Sequence, residues 1–368
     1  MNYKVLARKW RPKNFNTLIG QEHILIPLKN SLKQNKLHHT YLFSGSHGIG
    51  KTSIARIFAK ALNCKIGITD NPCCICTNCL AIDEGCFMDL IEIDAASNTK
   101  VEDMRDLIEN LQYSPTSGNF KIYLIDEAHM LSRYSFNALL KTLEEPPKHI
   151  KFILATTESK KIPITILSRC LQFHLKKITM QEIVKQLKVI LETENIPYDN
   201  EVCILIAQAS HGSLRDALSI TDKIIAFGEK KISYDLVNHI LGNISDEIAI
   251  SIIENIINNN IKNIFTILDN INLHDDDLEN ILIKMLSVIH TIAIIQIMPN
   301  YRSNISTHNN EKLHSLAKII TPINLQLYYR ILLFGREKLL YSPNNRIGIE
   351  MTLIKIITTC ISNNINKN

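Results

Sequence analysis

The chain has 368 residues, of which 45% are hydrophobic and 21% charged, and its formal net charge is +5. These values are ordinary for a globular protein with two or three domains, and the small positive excess permits a nucleic-acid partner without requiring one. Residues 1–15 contain no apolar core, and the most apolar stretch, 285–298, is shorter than a membrane span, so we predict a cytoplasmic protein with no membrane contact.

Five short apolar runs in the first half of the chain predict the strands of a parallel sheet. They are nearly continuous in apolar character, as strands buried on both faces are. Helical spacing at 53–63 and 135–145 indicates the crossovers that parallel strands need. The runs are 40–45, 88–94, 121–127, 151–157 and 170–175. We therefore predict an α/β fold for residues 1–178.

A glycine-rich loop follows the first predicted strand. Its sequence, GSHGIGKT, matches the pattern G-x-x-x-x-G-K-[ST] and lies between a strand and a helix. Glycines let backbone N–H groups curl around phosphates at a helix N-terminus. We expect Lys51 to reach the β- and γ-phosphates of ATP and the Thr52 hydroxyl to bind Mg²⁺. The predicted nucleotide-binding residues are Gly45, Ser46, His47, Gly48, Ile49, Gly50, Lys51 and Thr52.

Six of the nine cysteines fall between residues 64 and 86. Four of them have the spacing C-x8-C-x2-C-x2-C, and thiolates so placed can close a tetrahedron around Zn²⁺. These four are Cys64, Cys73, Cys76 and Cys79. Three alternatives stay open: Cys74 replaces Cys73, an iron–sulfur cluster uses Cys86 instead of Cys64, or the thiols are reduced and bind no metal. A closed four-thiolate site has no position for water, so we predict a structural zinc.

An acidic pair ends the third predicted strand. Asp126 and Glu127 follow a buried apolar run, which places both carboxylates near the phosphate loop. Asp126 suits Mg²⁺ coordination through water, and Glu127 suits the polarisation of an attacking water. The letters DEAH at 126–129 also mark a helicase superfamily, but such helicases need a second strand-rich motor domain. Since the chain beyond residue 178 has helical spacing, we predict an ATP hydrolase and not a helicase.

The second half of the chain carries helical patterns. Residues 179–242 indicate a small helical lid domain, and apolar residues recur at helical spacing from 243 to 368. The Asn-rich runs within this part are typical of linkers or frayed ends. We therefore predict three domains, with boundaries after residues 178 and 242.

Several longer motifs resemble the AAA+ ATPases, and more narrowly the gamma/tau family of bacterial DNA polymerase III clamp-loader subunits. The family motifs are RKWRPKNFNTLIGQEHI, EIDAASNTKVEDMRDL, ALLKTLEEPP, LATTESKKIPITILSRC and HGSLRDAL. The resemblance covers at least residues 3–218 and is faint in the last third. It implies a P-loop AAA+ domain with a zinc-binding insertion, a helical lid and an all-α collar domain for oligomerisation, as in the short form of this family that ends after the collar.

The resemblance implies roles for further residues. Thr157 resembles the first sensor, which hydrogen-bonds near the γ-phosphate, and Arg215 resembles the second sensor, which reaches the same ATP from the lid. Arg169 resembles the finger that acts on a neighbouring subunit's ATP, where a guanidinium stabilises developing charge. The same four cysteine positions carry a structural zinc in this family.

The resemblance also implies partners. They are the other subunits of a five-subunit ring, the sliding clamp, primer–template DNA and, through accessory subunits, single-strand-binding protein. Basic residues are the candidates for contact with DNA phosphates, and we name Lys100, Arg133 and Lys141. Two alternatives are a non-hydrolysing scaffold subunit of the same ring and a different AAA+ motor, such as a hexameric branch-migration motor.

Overall fold

The computed structural model of the chain describes residues 5–97, 113–228, 232–240, 246–270, 275–299, 301 and 307–365. It divides into two compact units, Met1–Val237 and Asn238–Asn368. The α/β part belongs to the first unit, and the second unit is helical in its described residues. The predicted boundary near residue 178 lies inside the first unit, so the division into three domains stays a prediction.

Strands and helices alternate through the first unit, as the sequence predicts. The strands are β1 Thr40–Ser44, β2 Leu90–Asp94, β3 Lys121–Asp126, β4 Ile150–Thr156 and β5 Leu171–His174. The α-helices are α1 Leu6–Lys9, α2 Glu22–Lys33, α3 Lys51–Asn63, α4 Thr77–Glu84, α5 Arg133–Glu144, α6 Ile164–Leu167, α7 Met180–Thr193, α8 Asn200–Ala209 and α9 Leu214–Phe227, followed by α10 Tyr234–Ile240. Short 3-10 turns occupy Ala128–Met130 and Ser159–Lys161.

The five strands form one parallel sheet in the order β2-β3-β4-β1-β5. Successive side chains of a strand point to opposite faces of the sheet, so each face has its own core. In β1, Tyr41 and Phe43 face the side covered by α2 and α3, whereas Leu42 faces the side covered by α5. The central strands β1 and β4 are buried along their whole length, whereas the edge strand β5 is mostly exposed. This burial explains why the central strands read as continuous apolar runs.

The strand order determines what meets at the carboxyl edge of the sheet. Because β4 lies between β1 and β3, the loop after β4 sits between the phosphate loop and the acidic pair. The end of β1 leads into Gly45, and the ends of β3 and β4 lead into Glu127 and Thr157. Ligands of open parallel sheets bind at this edge.

The second unit packs its helices around a separate apolar core rich in isoleucine. Its helices are α11 Asp246–Ile257, α12 Ile261–Asn270, α13 Asp275–Ile297, α14 Thr307–Ile319, α15 Pro322–Lys338 and α16 Asn345–Ile365. The apolar stretch expected to be too short for a membrane span belongs to α13. By length and composition its segment Glu279–Ile297 could cross a membrane, and about half of that segment is buried inside the protein.

Candidate nucleotide site and thiol cluster

The phosphate loop lies against the start of the lid helix α9. Gly48 has a left-handed φ of 71°, and a Cβ atom there would stand 2.0 Å from the Ser213 Oγ. The backbone N–H of Arg215 faces the Gly48 carbonyl oxygen at 3.4 Å. Only glycine therefore fits this position, and the close approach brings Arg215 to the loop, as expected of a residue that reaches the nucleotide from the lid.

Lys51 begins α3 with its side chain folded over the loop. Its Nζ donates to the carbonyl oxygens of Gly45 and Ser46 at 2.9 and 3.0 Å, and the residue is buried. Burial lowers the pKa of Lys51, while the carboxylates of Glu127 and Asp126 act in the opposite direction. A buried ammonium gains from an anion beside it, and bound phosphates would supply that anion.

The two predicted magnesium ligands meet across the site. The Thr52 hydroxyl donates to Asp126 Oδ2 at 2.7 Å, and the Glu127 backbone N–H donates to Asp126 Oδ1 at 3.0 Å. A hydroxyl and a carboxylate are the hard oxygen donors that Mg²⁺ prefers. The residues present therefore fit a magnesium ion between the loop and the sheet.

Glu127 lies at the end of β3 with its carboxylate turned toward β4. Its Oε2 accepts hydrogen bonds from the Thr157 backbone N–H at 3.3 Å and from the Thr157 hydroxyl at 3.0 Å. The predicted base and the predicted first sensor are thus direct neighbours. The carboxylate is one-quarter exposed, which leaves it accessible to water.

A cavity of about 630 Å³ opens over these groups. Its lining includes Lys51, Thr52, Asp126, Glu127 and Arg215. The volume suits a nucleoside triphosphate, and the lining combines the phosphate loop with apolar side chains such as Leu18 and Ile178.

Arg169 is not among the residues that line this cavity. Its guanidinium pairs with Glu144 at 2.5 Å and donates to the Thr165 carbonyl oxygen at 2.7 Å. About one-third of its side chain is exposed. A partly exposed ion pair of this kind is weak, and the role of Arg169 toward a neighbouring subunit stays a prediction.

The N-terminal segment completes the cavity, which sequence reasoning missed. Residues 7–13 line it. The segment also bonds to the lid, because the indole N–H of Trp10 donates to Glu194 Oε1 at 2.8 Å and the Leu6 N–H donates to Asp222 Oδ2 at 2.8 Å. The only tryptophan of the chain, placed within a charged segment, was the available signal.

The four predicted metal ligands form one cluster at the end of α3. The Sγ atoms of Cys64, Cys73, Cys76 and Cys79 all lie within 4.8 Å of one another. The separation is 3.5 Å for Cys64–Cys73 and 4.0 Å for Cys73–Cys79. A tetrahedral zinc with bonds of about 2.3 Å requires sulfur atoms about 3.8 Å apart, so the cluster fits zinc.

Backbone amides favour the thiolate form of Cys73 and Cys76, whereas burial raises the pKa of Cys79. The N–H groups of Cys76 and Cys79 each point to the sulfur three residues earlier, at 3.4 Å. Although burial raises it, hydrogen bonds from the backbone at Lys65 and Cys79 bring the pKa of Cys76 to about 6. A zinc ligand needs this deprotonated form.

The two remaining cysteines of this segment lie outside the cluster. The Cys74 thiol faces the Lys13 carbonyl oxygen at 3.3 Å, and burial raises its pKa. The Cys86 thiol is exposed and faces the Ala81 carbonyl oxygen at 3.6 Å. The structure therefore favours the Cys64, Cys73, Cys76 and Cys79 set over both alternatives that use these residues.

Two of the three residues predicted to contact DNA lie in the described part of the chain. Arg133 and Lys141 are exposed on α5, which follows the acidic pair. Lys100 lies outside the described residues. The DNA role of all three stays a prediction.

Three family models match consecutive parts of the chain. They are "DNA polymerase III, delta subunit" at residues 20–179, "DNA polymerase III clamp loader subunit, ATPase lid domain" at 182–230, and "DNA polymerase III subunits gamma and tau domain III" at 232–363. Among solved structures, the Thermotoga maritima RuvB Holliday junction branch migration motor is 23% identical with a TM-score of 0.48, and the match covers 67% of this chain and 79% of that one.

Curated relatives match almost the whole chain. The DNA polymerase III subunit tau of Escherichia coli K12 is 51% identical over 97% of this chain and 56% of its own length, so the chain spans about half of that relative. The DNA polymerase III subunit gamma of Buchnera aphidicola subsp. Baizongia pistaciae is 48% identical over 97% of both chains. The chain belongs to the gamma/tau family of DNA polymerase III subunits.

Proposed function

We propose that this chain is an ATP-hydrolysing subunit of the bacterial replicative clamp loader. In this role it binds ATP with Mg²⁺, helps to open the ring-shaped sliding clamp and loads it onto primer–template DNA. Its partners are the other subunits of a five-subunit ring, the clamp and DNA, with single-strand-binding protein reached through accessory subunits. The place of action is the cytoplasm.

The observation that carries the proposal is the convergence of four groups at the carboxyl edge of the sheet. Lys51, Thr52, Asp126 and Glu127 share one cavity, and the Thr52 hydroxyl bonds to Asp126 at 2.7 Å. A non-hydrolysing scaffold subunit would not need all four groups in these positions. Family membership over 97% of the chain argues against a different AAA+ motor.

Each group has a role in hydrolysis. Lys51 and the loop amides bind the phosphates, and Glu127 orients the attacking water. Thr157 and Arg215 respond to the γ-phosphate from β4 and from the lid. Bound Mg²⁺ neutralises charge on the phosphates and would be held by Thr52 and Asp126.

Arg169 supplies its guanidinium to the nucleotide site of a neighbouring subunit. Hydrolysis then depends on assembly, because each nucleotide needs a guanidinium from the next chain. Entry of DNA aligns the base and the finger, and hydrolysis releases the clamp. The lid at 179–242 closes over the nucleotide, and the collar at 243–368 holds the ring together. DNA phosphates are contacted by Arg133, Lys141 and Lys100.

The test is steady-state ATP hydrolysis by the assembled ring, with and without clamp and primed DNA. We expect clamp and primed DNA together to stimulate hydrolysis strongly. Arg169→Ala should reduce the stimulated rate about 100-fold or more, while ATP binding survives. A rate that ignores both clamp and primer junction would contradict loading and leave a generic ATPase.

Mixed rings separate a finger that acts between subunits from one that acts within its own chain. Lys51→Ala removes nucleotide binding but keeps Arg169, and Arg169→Ala does the reverse. We expect rings containing both variants to hydrolyse ATP faster than rings of either alone. Equal inactivity of the mixture would contradict the trans role.

A further inference from the structure

A buried histidine follows the predicted base in the turn after β3. His129 lies in the 3-10 turn Ala128–Met130, and only 8% of its side chain is exposed. Glu127, just before this turn, has a left-handed φ of 47°, which is uncommon for a residue with a side chain. Such strain concentrates at functional sites.

His129 links this turn to the end of the neighbouring strand. Its Nδ1 lies 3.1 Å from Thr156 Oγ1, and Thr156 is fully buried at the end of β4. The same hydroxyl oxygen accepts the Glu158 N–H at 3.1 Å. The imidazole ring is therefore anchored on a strand from the centre of the sheet.

The same nitrogen also faces the predicted base. Nδ1 of His129 is 3.4 Å from Glu127 Oε2, and Nε2 is 3.8 Å from Glu158 Oε1. In the tautomer that carries its proton on Nδ1, the ring has a donor for these two oxygens, Thr156 Oγ1 and Glu127 Oε2. Thr157 thus donates to Glu127 Oε2, and His129 Nδ1, hydrogen-bonded to Thr156, lies 3.4 Å from the same oxygen.

The other oxygen of Glu127 stays available. Within the part of the chain that the structure describes, the side-chain contacts of this carboxylate all go to Oε2. A carboxylate held by one oxygen presents the second in a fixed direction. The attacking water would meet Oε1, whose orientation depends on what holds Oε2.

We propose that His129 is a positioning residue for ATP hydrolysis, which acts through an Nδ1–H shared between Thr156 Oγ1 and Glu127 Oε2. The proposal rests on the ATPase function proposed above. Glutamate has three side-chain torsions, so an unheld base spends most of its time in orientations that miss the water. His129 does not line the nucleotide cavity, and its loss should therefore leave ATP affinity intact.

Two amide substitutions provide a matched test. The amide nitrogen of asparagine is as many bonds from Cα as Nδ1, and that of glutamine is as many as Nε2. We expect His129→Asn to keep kcat within about threefold of wild type and His129→Gln to lower it about tenfold, with KM and ATP affinity unchanged in both. Equal kcat values for the two variants would overturn the proposal.

A second variant covers the case in which His129→Gln folds poorly. Thr156→Val keeps the shape of the side chain but removes the hydroxyl that anchors the ring, and it should also lower kcat without changing ATP affinity. Parallel losses of ATP affinity, melting temperature and kcat in all variants would mean a structural role and contradict positioning. Failure of clamp and DNA to stimulate the wild type would contradict the loader function alone, because basal hydrolysis would still rank the variants.

Discussion

At the scale of single residues, the first unit contains a lysine whose charge opposes folding. Lys151 in β4 is 3% exposed, and its Nζ has one long hydrogen bond, 3.4 Å to the Leu37 carbonyl oxygen. Burial lowers the pKa of Lys151 to about 8. The unfolded chain holds that proton with an ordinary lysine pKa of 10.5.

The sign of the pH dependence follows from these two values. Below pH 8 the amine is charged in both states, and the folded protein bears the full cost of burying it. Between pH 8 and 10.5 the unfolded state binds more protons, so this group makes folding more favourable as pH rises. We expect Lys151→Met to raise the free energy of unfolding by about 2 kcal/mol at pH 7 and by much less at pH 10.

Urea denaturation of both proteins at pH 7, 8.5 and 10 measures this difference directly. The other titratable groups are the same in both proteins, so their contributions cancel in the difference between the two free energies of unfolding. The exposed Lys185→Met serves as the control, and its difference from wild type should not vary with pH. If the free energy of unfolding of Lys151→Met differed from that of wild type by the same amount at pH 7 and at pH 10, the lowered pKa would be contradicted.

Residues of short motifs at strand ends could be placed from the sequence, whereas His129 could not. Lys51 and Thr52 follow β1 within one loop, and Asp126 ends a strand, so parallel strands alone bring them to one edge. The contact of His129 with Thr156 depends on β3 and β4 being neighbours, and spacing along the chain does not encode that adjacency.

At the scale of elements, helix α3 connects the nucleotide site to the thiol cluster. It begins at Lys51 and ends at Asn63, and Cys64 follows directly. Near its end, the buried Lys60 bonds to Asp83 on α4 at 2.6 Å, and the Asn78 amide donates to the Asn63 carbonyl oxygen at 3.0 Å. The cluster thus joins α4 to a helix whose other end would bind the phosphates of a nucleotide.

We expect one zinc per chain, bound by the four clustered thiols and required for stability. Cys76→Ser and Cys79→Ser should lose zinc and melt several degrees lower, because the metal contributes folding energy. Cys74→Ser and Cys86→Ser are the controls and should retain zinc. Metal analysis measures the zinc content, and thermal melting measures the stability of each variant. Bound iron with visible absorbance, or loss of metal in Cys86→Ser, would favour the iron–sulfur alternative.

Element boundaries were predictable to within a few residues wherever apolar runs had clear ends. The strand predicted at 121–127 is observed at Lys121–Asp126. The most apolar stretch, 285–298, marks only part of helix α13, which begins at Asp275 with three acidic residues. Acidic residues stabilise a helix N-terminus, so they belong to the helix although they are not part of its apolar pattern.

At the scale of the whole molecule, each of the three apolar cores lies within one of the two units. Two cores line the two faces of the sheet and contain only residues up to 175. The third core contains only residues from Ala249 to Ile357. A segment with its own closed core of this size has the apolar burial that independent folding requires.

We therefore expect residues 238–368, expressed alone, to fold as a helical domain with a cooperative thermal transition. The reason is that the buried apolar residues of this core all come from this segment, so the fragment keeps the contacts that they make with one another. Circular dichroism and calorimetry on the fragment test this, with the full chain as reference. A fragment that shows helical signal but no cooperative transition, and that binds a hydrophobic dye, would mean that its core depends on the first unit or on neighbouring subunits.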